Sequence, residues 1–311
     1  MRYATILQTN WDWRAAANFM FGGGGGALLL AAAVSGSEAS VRLPATLLGL
    51  ALMGTGLAMV WLEIGRPWRA INVMFRPQNS WMTREAYVAG CAFLLAAGAV
   101  LVRSTWLPMA AGIAGIAFLY CQARILRAAK GIPAWREPSI AVLIVTTGLV
   151  EGVACLIIVQ VVLAEPDDNF LLLLAGLLML RLFAWFLYRG RLLASEPPSQ
   201  VLAVLPRLGS RFMLFGHFLP LLFIAGAYLD SPFSRINLSL SAIIAILSGW
   251  HLKFVLITRL AHVQGFGLGK LRRGHPLNLA DHQEVSEASI RLRKTRERER
   301  EREFRNQRRN K

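Results

Sequence analysis

The sequence is poor in charged residues and in cysteine. Only 17% of its 311 residues are charged, whereas about a quarter are charged in an average soluble domain. The three cysteines, Cys91, Cys121 and Cys155, stand far apart and form no CxxC motif. These features exclude an ordinary soluble enzyme, a disordered chain and a disulfide-rich secreted domain. We also expect the chain to hold no iron–sulfur cluster, no molybdenum and no other metal by itself.

Apolar residues make up 55% of the chain, and its mean hydropathy is +0.46. A helix needs about 20 mostly apolar residues to cross a bilayer, and the sequence contains eight runs that meet this need. The alternating ten-residue segments of a transmembrane β-barrel are absent from the sequence. The sequence therefore predicts an all-α polytopic membrane protein, a bundle of eight transmembrane helices. The runs cover residues 18–36, 43–63, 85–103, 105–123, 138–163, 169–188, 210–229 and 236–258.

Positive charge is unevenly divided between the two ends of these runs. Fourteen arginines and lysines lie at the ends on the side of the N-terminus, against three on the other side, Arg42, Arg103 and Arg235. Loops rich in arginine and lysine stay in the cytoplasm. We therefore expect a protein of the cytoplasmic membrane with both termini in the cytoplasm. The predicted divisions are an N-terminal interfacial segment, 1–17, an eight-helix transmembrane domain, 18–260, and a basic cytoplasmic tail, 261–311.

Two carboxylates flank the loop between the second and third runs. Glu63 ends the second run just before Gly65-Arg66-Pro67, where glycine and proline favour a helix end. Glu85 opens the third run after Ser80-Trp81-Met82-Thr83-Arg84. We expect both carboxyls at the cytoplasmic edge of the bilayer, with arginines around them. Both could also be structural, since Glu85 would complement the helix dipole and Glu63 would pair with a nearby arginine.

The motifs of this loop resemble those of a known family. Gly65-Arg66-Pro67, Ser80-Trp81 and Arg84-Glu85, on an eight-helix chain, are similar to the membrane-anchor subunits of DMSO-reductase-type molybdenum enzymes, within the broader NrfD and polysulfide-reductase group. The opening segment 8–19, with glycines 22–26, more narrowly resembles the anchors of phenylacetyl-CoA:acceptor oxidoreductases.

The resemblance implies a membrane anchor within a complex of three subunits. A molybdopterin catalytic subunit would exchange electrons with a four-cluster iron–sulfur subunit, which would exchange them with a quinone or quinol held by this chain. The chain would carry out only the quinone half-reaction. In the family, the position matching Glu85 is implicated in the quinone site, and the position matching Glu63 is commonly histidine. We expect Glu85 and Glu63 to exchange protons in a quinone site that also contains Arg66, Trp81 and Arg84.

Polar residues inside the predicted helices leave other functions open. His217 and His251 lie at similar depth in neighbouring helices, which is the arrangement that a bis-imidazole haem b requires. The same histidines could instead hydrogen-bond a quinone or each other. Glu151 and Arg181 are expected to form an ion pair between the fifth and sixth helices, or part of a proton path. A secondary transporter is the remaining alternative, although the sequence shows no internal repeat.

Two further segments carry predictions. The glycines at 22–26 are expected to pack helices closely, because no strand precedes them and no phosphate-loop lysine follows. The tail alternates in sign over residues 296–303, which favours a solvated helix, or docking onto anionic lipid or an acidic partner. Nucleic-acid binding is not expected, since the tail offers no fold or aromatic platform for it.

Overall fold

The computed structural model describes residues 5–36, 39–64, 67–102, 104–229 and 232–263. Within these ranges, eight helices are long and apolar enough to cross a membrane, which confirms the predicted all-α polytopic fold. Arg66 and most of the predicted tail, from residue 264 onward, lie outside the described residues. The helices are α1 Trp13–Val34, α2 Ala39–Glu63, α3 Trp81–Val102, α4 Trp106–Ala128, α5 Ile140–Leu163, α6 Asp168–Ala194, α7 Ser199–Ala227 and α8 Ser234–Thr258.

The start of α1 and the end of α8 are tied together by a short sheet. Strand β1, Ile6–Leu7, pairs antiparallel with β2, His262–Val263. The backbone amide of Gln8 donates to the carbonyl of Ala261 at 2.9 Å, and its side-chain amide donates to the carbonyl of Ile257 at 3.1 Å. An even number of crossings returns the chain to its starting side, and this contact joins the two ends there.

Helix α1 lies at the centre of the bundle because its glycines let neighbouring backbones approach. A Cβ atom on Gly25 would lie 2.6 Å from the carbonyl oxygen of Gly49 in α2, and one on Gly26 would lie 2.5 Å from that of Gly115 in α4. Real side chains do not come this close to backbone, so these positions require glycine. The prediction that this glycine run packs helices is confirmed.

Two of the described helices contain a π-helical turn. The turn in α1 covers Asn18–Gly22, and the turn in α7 covers Leu214–Phe218. A π turn widens a helix locally and is frequent at functional sites. Each turn carries one buried polar side chain, Asn18 in the first and His217 in the second. The turns therefore mark two places where the bundle interior is polar.

Several helices begin before the predicted apolar runs. Helix α7 starts at Ser199 rather than 210 because its first half is amphipathic, with Val201 and Leu205 buried and Arg207 exposed. Polar residues lower the average hydropathy of such a segment and hide it. Helix α3 starts at Trp81, so that Glu85 lies inside the helix and not at its opening.

Candidate functional site

Glu85 is enclosed where α1, α3 and α4 meet. Its side chain is 5% exposed and accepts a hydrogen bond at Oε1 from Asn18 Nδ2 at 3.1 Å. Gln122 of α4 in turn donates from Nε2 to the backbone carbonyl of Asn18 at 3.0 Å. These three residues are called the Glu85 cluster below. Sequence reasoning did not assign Asn18 to the site, although an isolated amide next to a glycine run was a usable signal.

Two acceptor atoms of the Glu85 cluster have no hydrogen-bond partner within the described ranges, Asn18 Oδ1 and Gln122 Oε1. Both side chains are at most 2% exposed. A buried polar atom left without a partner costs about 1–3 kcal/mol. Such atoms in a native fold point to a ligand or to bound water. The cluster therefore combines a buried carboxyl with two hydrogen-bond acceptors that a bound ligand or water could use.

Two arginines contact the ring of Trp81 at the start of α3. The guanidinium carbon of Arg84 lies 4.3 Å from the Trp81 ring centroid, and that of Arg124 lies 4.6 Å from it. The Tyr120 ring packs edge-on against Trp81, and its hydroxyl accepts from Arg124 at 2.9 Å. Cation–π contacts of this kind contribute about 0.5–2 kcal/mol each. Two of the predicted site residues, Trp81 and Arg84, thus lie together.

Side chains of α3 also hold the loop that precedes it. The hydroxyl groups of Thr83 and Tyr87 donate to the backbone carbonyls of residues 73 and 74, the second at 2.9 Å. Arg84 donates to the carbonyls of residues 77 and 78 at 2.8 and 2.7 Å. The loop contains the 3-10 helix Pro67–Phe75. The motif around Trp81 therefore fixes the loop to the helix that carries Glu85.

Glu63 has a different environment from Glu85. It lies at the end of α2, is partly exposed and interacts electrostatically with Arg14. Arg14 also donates to the carbonyl of Leu62 at 2.8 Å and forms an ion pair with Asp12 at 2.7 Å. Glu63 therefore belongs to a charged helix end, whereas Glu85 is enclosed. Its sequence neighbour Arg66 falls outside the described part of the chain.

A second polar cluster lies halfway along α5. Glu151 Oε2 pairs with Lys253 Nζ of α8 at 2.5 Å, and both side chains are at most 1% exposed. The predicted ion pair of Glu151 with Arg181 is wrong, because Arg181 donates to the backbone carbonyls of Ala245, at 3.2 Å, and Gly216. Lys253 was missed because the apolar run around it dominates the average hydropathy, and because sequence does not show that α8 packs on α5.

His217 and His251 have unlike surroundings. His217 is 2% exposed, its Nδ1 lies 3.0 Å from the carbonyl oxygen of Phe212, and its Nε2 has no hydrogen-bond partner in the described part of the chain. His251 is half-buried and lines a cavity of about 330 Å³ between α7 and α8, together with Arg211 and Phe215. His217 is not one of the residues that line this cavity.

Metal-binding groups are dispersed over the described residues. Among them, no three histidine, cysteine, aspartate or glutamate side chains come together in a way that could hold a metal ion. Cys91 is exposed, and Cys121 and Cys155 are buried as free thiols. The buried ionisable and polar groups described above are carboxyl, amide, ammonium, guanidinium and imidazole side chains.

A model of a known protein family matches most of the chain. The family is described as DMSO reductase anchor subunit (DmsC), and the match covers residues 26–259. The matched region contains Trp81, Arg84 and Glu85, as well as the ion pair of Glu151 and Lys253. Among curated proteins, no match to the chain is found.

Proposed function

Because the chain belongs to the family of DMSO reductase anchor subunits, we propose that it is the quinone-reactive subunit of a molybdopterin and iron–sulfur oxidoreductase. It is a multi-pass membrane protein and an anchor subunit of a DMSO-reductase-type complex. In the proposed function it exchanges electrons between a four-cluster iron–sulfur subunit and the membrane quinone pool. The substrate itself is converted by a separate molybdopterin subunit. The narrower resemblance to phenylacetyl-CoA oxidoreductase anchors stays a prediction.

The Glu85 cluster is the observation that carries this proposal. Reducing a quinone or oxidising a quinol moves two electrons and two protons, so the headgroup needs hydrogen-bond partners and a proton-exchanging group. Asn18 and Gln122 suit both redox forms, because an amide side chain offers a donor to a quinone carbonyl and an acceptor to a quinol hydroxyl. Their free oxygens are buried beside the Glu85 carboxyl. Glu85 is the group that would take or give the proton.

The remaining predicted site residues have supporting roles in this proposal. Trp81 and Arg84 fix the start of α3 and its preceding loop, and so position Glu85. Glu63 ends α2 beside Arg14, and the role of Arg66, which lies outside the described residues, is proposed from the sequence motif alone. A partly exposed carboxylate such as Glu63 is suited to exchanging protons with water, whereas Glu85 exchanges them with the headgroup.

The cytoplasmic membrane is the proposed location, with both termini in the cytoplasm. The excess of arginine and lysine at the ends of the crossings on the N-terminal side supports this orientation. The Glu85 cluster then lies near the cytoplasmic surface, where the iron–sulfur subunit would dock. A reporter that is active only in the cytoplasm, fused after residue 263, is expected to be active. An inactive cytoplasmic reporter together with an active periplasmic one would contradict this orientation.

Replacing Glu85 by glutamine tests the proposed site. Glutamine keeps an oxygen that can accept from Asn18 Nδ2, but it cannot exchange a proton. In the assembled complex we expect turnover with quinol to fall by about 10²-fold, which is typical for loss of a general acid or base. Turnover with a dye that exchanges electrons directly with the soluble subunits should be unchanged. Glu165→Gln, at an exposed carboxylate, is the matched control, and unchanged quinol turnover in Glu85→Gln would reject the site.

A haem b anchor is the second candidate, because His217 Nε2 is buried and without a partner in the described ranges. Bis-imidazole ligation needs both histidines to face the same cavity. Of the two, His251 lines the cavity between α7 and α8 and His217 does not. The structure thus supports haem less than it supports the quinone site. A Soret band in the purified chain that is lost in His217→Ala would favour haem. Membership of an anchor family speaks against the transporter alternative.

A further inference from the structure

Gly23 of α1 lies between the Glu85 cluster and the buried ion pair. A Cβ atom placed on Gly23 would lie 2.9 Å from Gln122 Oε1 and 3.2 Å from Lys253 Nζ. These two atoms are therefore at most about 6 Å apart, a gap that one water molecule spans with two ordinary hydrogen bonds. Any larger residue at position 23 would place its side chain against both of these atoms.

The glycines on either side of Gly23 also adjoin polar atoms. A Cβ on Gly22 would lie 2.9 Å from Gln122 Nε2 and 3.2 Å from Asn18 Oδ1, and a Cβ on Gly24 would lie 3.1 Å from Glu151 Oε2. Three successive glycines of α1 therefore adjoin a line of polar atoms that leads from Asn18 to Glu151, each pointing about 100° from the next around the helix. The glycine run thus contains two parts, since Gly25 and Gly26 face backbone while residues 22–24 face polar groups.

Three acceptor atoms along this line have no hydrogen-bond partner within the described residues. They are Asn18 Oδ1, Gln122 Oε1 and Glu151 Oε1, and each belongs to a side chain that is at most 2% exposed. An ammonium group has three donors, of which Lys253 uses one for Glu151 Oε2. Buried polar atoms of this kind are commonly satisfied by enclosed water. The line from the Glu85 cluster to the ion pair is thus equipped to hold a hydrogen-bonded chain.

The charges along this line balance. Glu85 and Glu151 are the two carboxyls, and Lys253 and Arg181 are the two cations, since Arg181 acts electrostatically on both members of the ion pair. A proton that moves from one carboxyl to the other leaves the total buried charge unchanged. Burying net charge is what makes ionic groups costly inside a membrane protein. Transfer between the two carboxyls avoids that cost.

The line leads inward from the start of α3 to the middle of α5. At a rise of about 1.5 Å per residue, Glu85 lies about 6 Å from the start of α3, and Glu151 lies about 16 Å from the start of α5. Beyond Glu151 the helices pack apolar side chains, including Leu28, Ala154 and Ile157, which are fully buried. Along α5, Ala154 and Ile157 separate Glu151 from Gln160, the next buried polar side chain of that helix.

From this geometry we propose that Glu85 and Glu151 form a proton relay in which Glu151 stores one of the two protons of quinone chemistry. The relay rests on the proposed quinone exchange at Glu85. When a quinol is oxidised, its O–H bond breaks and Glu85 gains the proton, while the electrons leave to the iron–sulfur subunit. Lys253 then passes a proton to Glu151 and takes one from the bridging water, and a chain of enclosed water along the Glu85 cluster replaces that proton from Glu85.

At the end of this transfer Glu85 has lost the proton and Glu151 has gained it, while water and Lys253 are unchanged. Glu85 is thereby free to accept the second proton of the same quinol. Without the relay, the first proton would have to escape to solvent before the second oxidation step could occur. Quinone reduction runs the same transfers in reverse. The stored proton returns through Glu85, so the relay by itself moves no proton across the membrane.

Gly23→Ala interrupts the relay without removing any ionisable group. Its methyl group would lie against both Gln122 Oε1 and Lys253 Nζ and would displace a water molecule that bridges them. We expect quinol turnover of the complex to fall about tenfold, with an unchanged KM for quinol. The ratio of turnover in H₂O to turnover in D₂O should increase. Gly148→Ala is the matched packing control, because it crowds Leu119 at 2.6 Å, the residue that Gly23→Ala also crowds at 3.0 Å. Gly176→Ala, which meets nothing within 4 Å, is the neutral control.

The double variant Glu151→Gln/Lys253→Met provides a second test if Gly23→Ala fails to fold. It removes the proton store without leaving either partner of the pair charged. We expect an assembled complex whose quinol turnover is reduced about tenfold. Infrared difference spectra of the purified chain give a readout other than activity. We expect a buried carboxyl band that shifts in D₂O, is absent from the double variant and exchanges more slowly in Gly23→Ala.

The outcomes separate the relay from the proposed function. If Glu85→Gln slows quinol turnover but neither Gly23→Ala nor the double variant does, the relay is refuted and the quinone site stands. If Glu85→Gln has no effect, the quinone site is refuted and the relay falls with it. Slowing in Gly148→Ala equal to that in Gly23→Ala would show that crowding at Leu119, and not the gap, is responsible.

Discussion

Removing Glu151 and removing Lys253 from the buried ion pair should lower the free energy of unfolding by different amounts. Glu151 and Lys253 lie 2.5 Å apart, and each is at most 1% exposed. Removing one member of such a pair leaves an unpaired charge in the interior, which typically costs about 3–5 kcal/mol. Removing both charges also removes both desolvation penalties. We therefore expect the double variant Glu151→Gln/Lys253→Met to be less destabilised than Glu151→Gln alone.

The difference between the two single variants follows from the charge of Arg181. In Lys253→Met, Glu151 still has an electrostatic partner in Arg181, whereas in Glu151→Gln two cations repel each other without a carboxylate between them. Even about 10 Å apart, two like unit charges repel by about 1–2 kcal/mol at an effective dielectric constant of about 20. We therefore expect Glu151→Gln to be destabilised by at least about 1 kcal/mol more than Lys253→Met.

Equilibrium unfolding of the purified chain in detergent measures these differences. The exposed pair of Arg235 and Glu165 provides the control, because its side chains are 50% and 82% exposed. Glu165→Gln is expected to change the free energy of unfolding by only about 0–1 kcal/mol. The reasoning is refuted if Lys253→Met costs as much as Glu151→Gln, or if both cost as little as the exposed control.

Three further predictions follow from other contacts. Gly26→Ala forces a methyl group against the carbonyl of Gly115. It should lower the free energy of unfolding by about 1–3 kcal/mol, measured as a lower thermal midpoint, whereas Gly176→Ala should be nearly neutral. Trp81→Leu removes the ring that holds two guanidinium groups and should increase proteolysis of the preceding loop. Burial lowers the pKa of His262 from 6.5, so the pairing of β1 with β2 should weaken as the pH falls below 6.5. Limited proteolysis near the N-terminus would show this, and His262→Gln should remove the pH dependence.

The sequence by itself determined the number and the kind of the elements. Lipid imposes a length of about 20 apolar residues on every crossing helix, so the eight runs could be counted without knowledge of their neighbours. The motif that includes Trp81, Arg84 and Glu85 indicated the family correctly, because those residues lie close together in the sequence. Amphipathic starts such as Ser199 were missed, since averaging over a window hides them.

Only the tertiary structure decided which polar groups meet. Glu63 and Glu85 looked equivalent in the sequence, but the structure encloses Glu85 and leaves Glu63 partly exposed. Glu151 pairs with Lys253, 102 positions away, and not with the predicted Arg181. The physical reason is that hydropathy and periodicity describe each helix separately. Partners inside a membrane bundle depend on which helices adjoin and how each is rotated, and the glycine contacts of α1 with α2 and α4 are part of that arrangement.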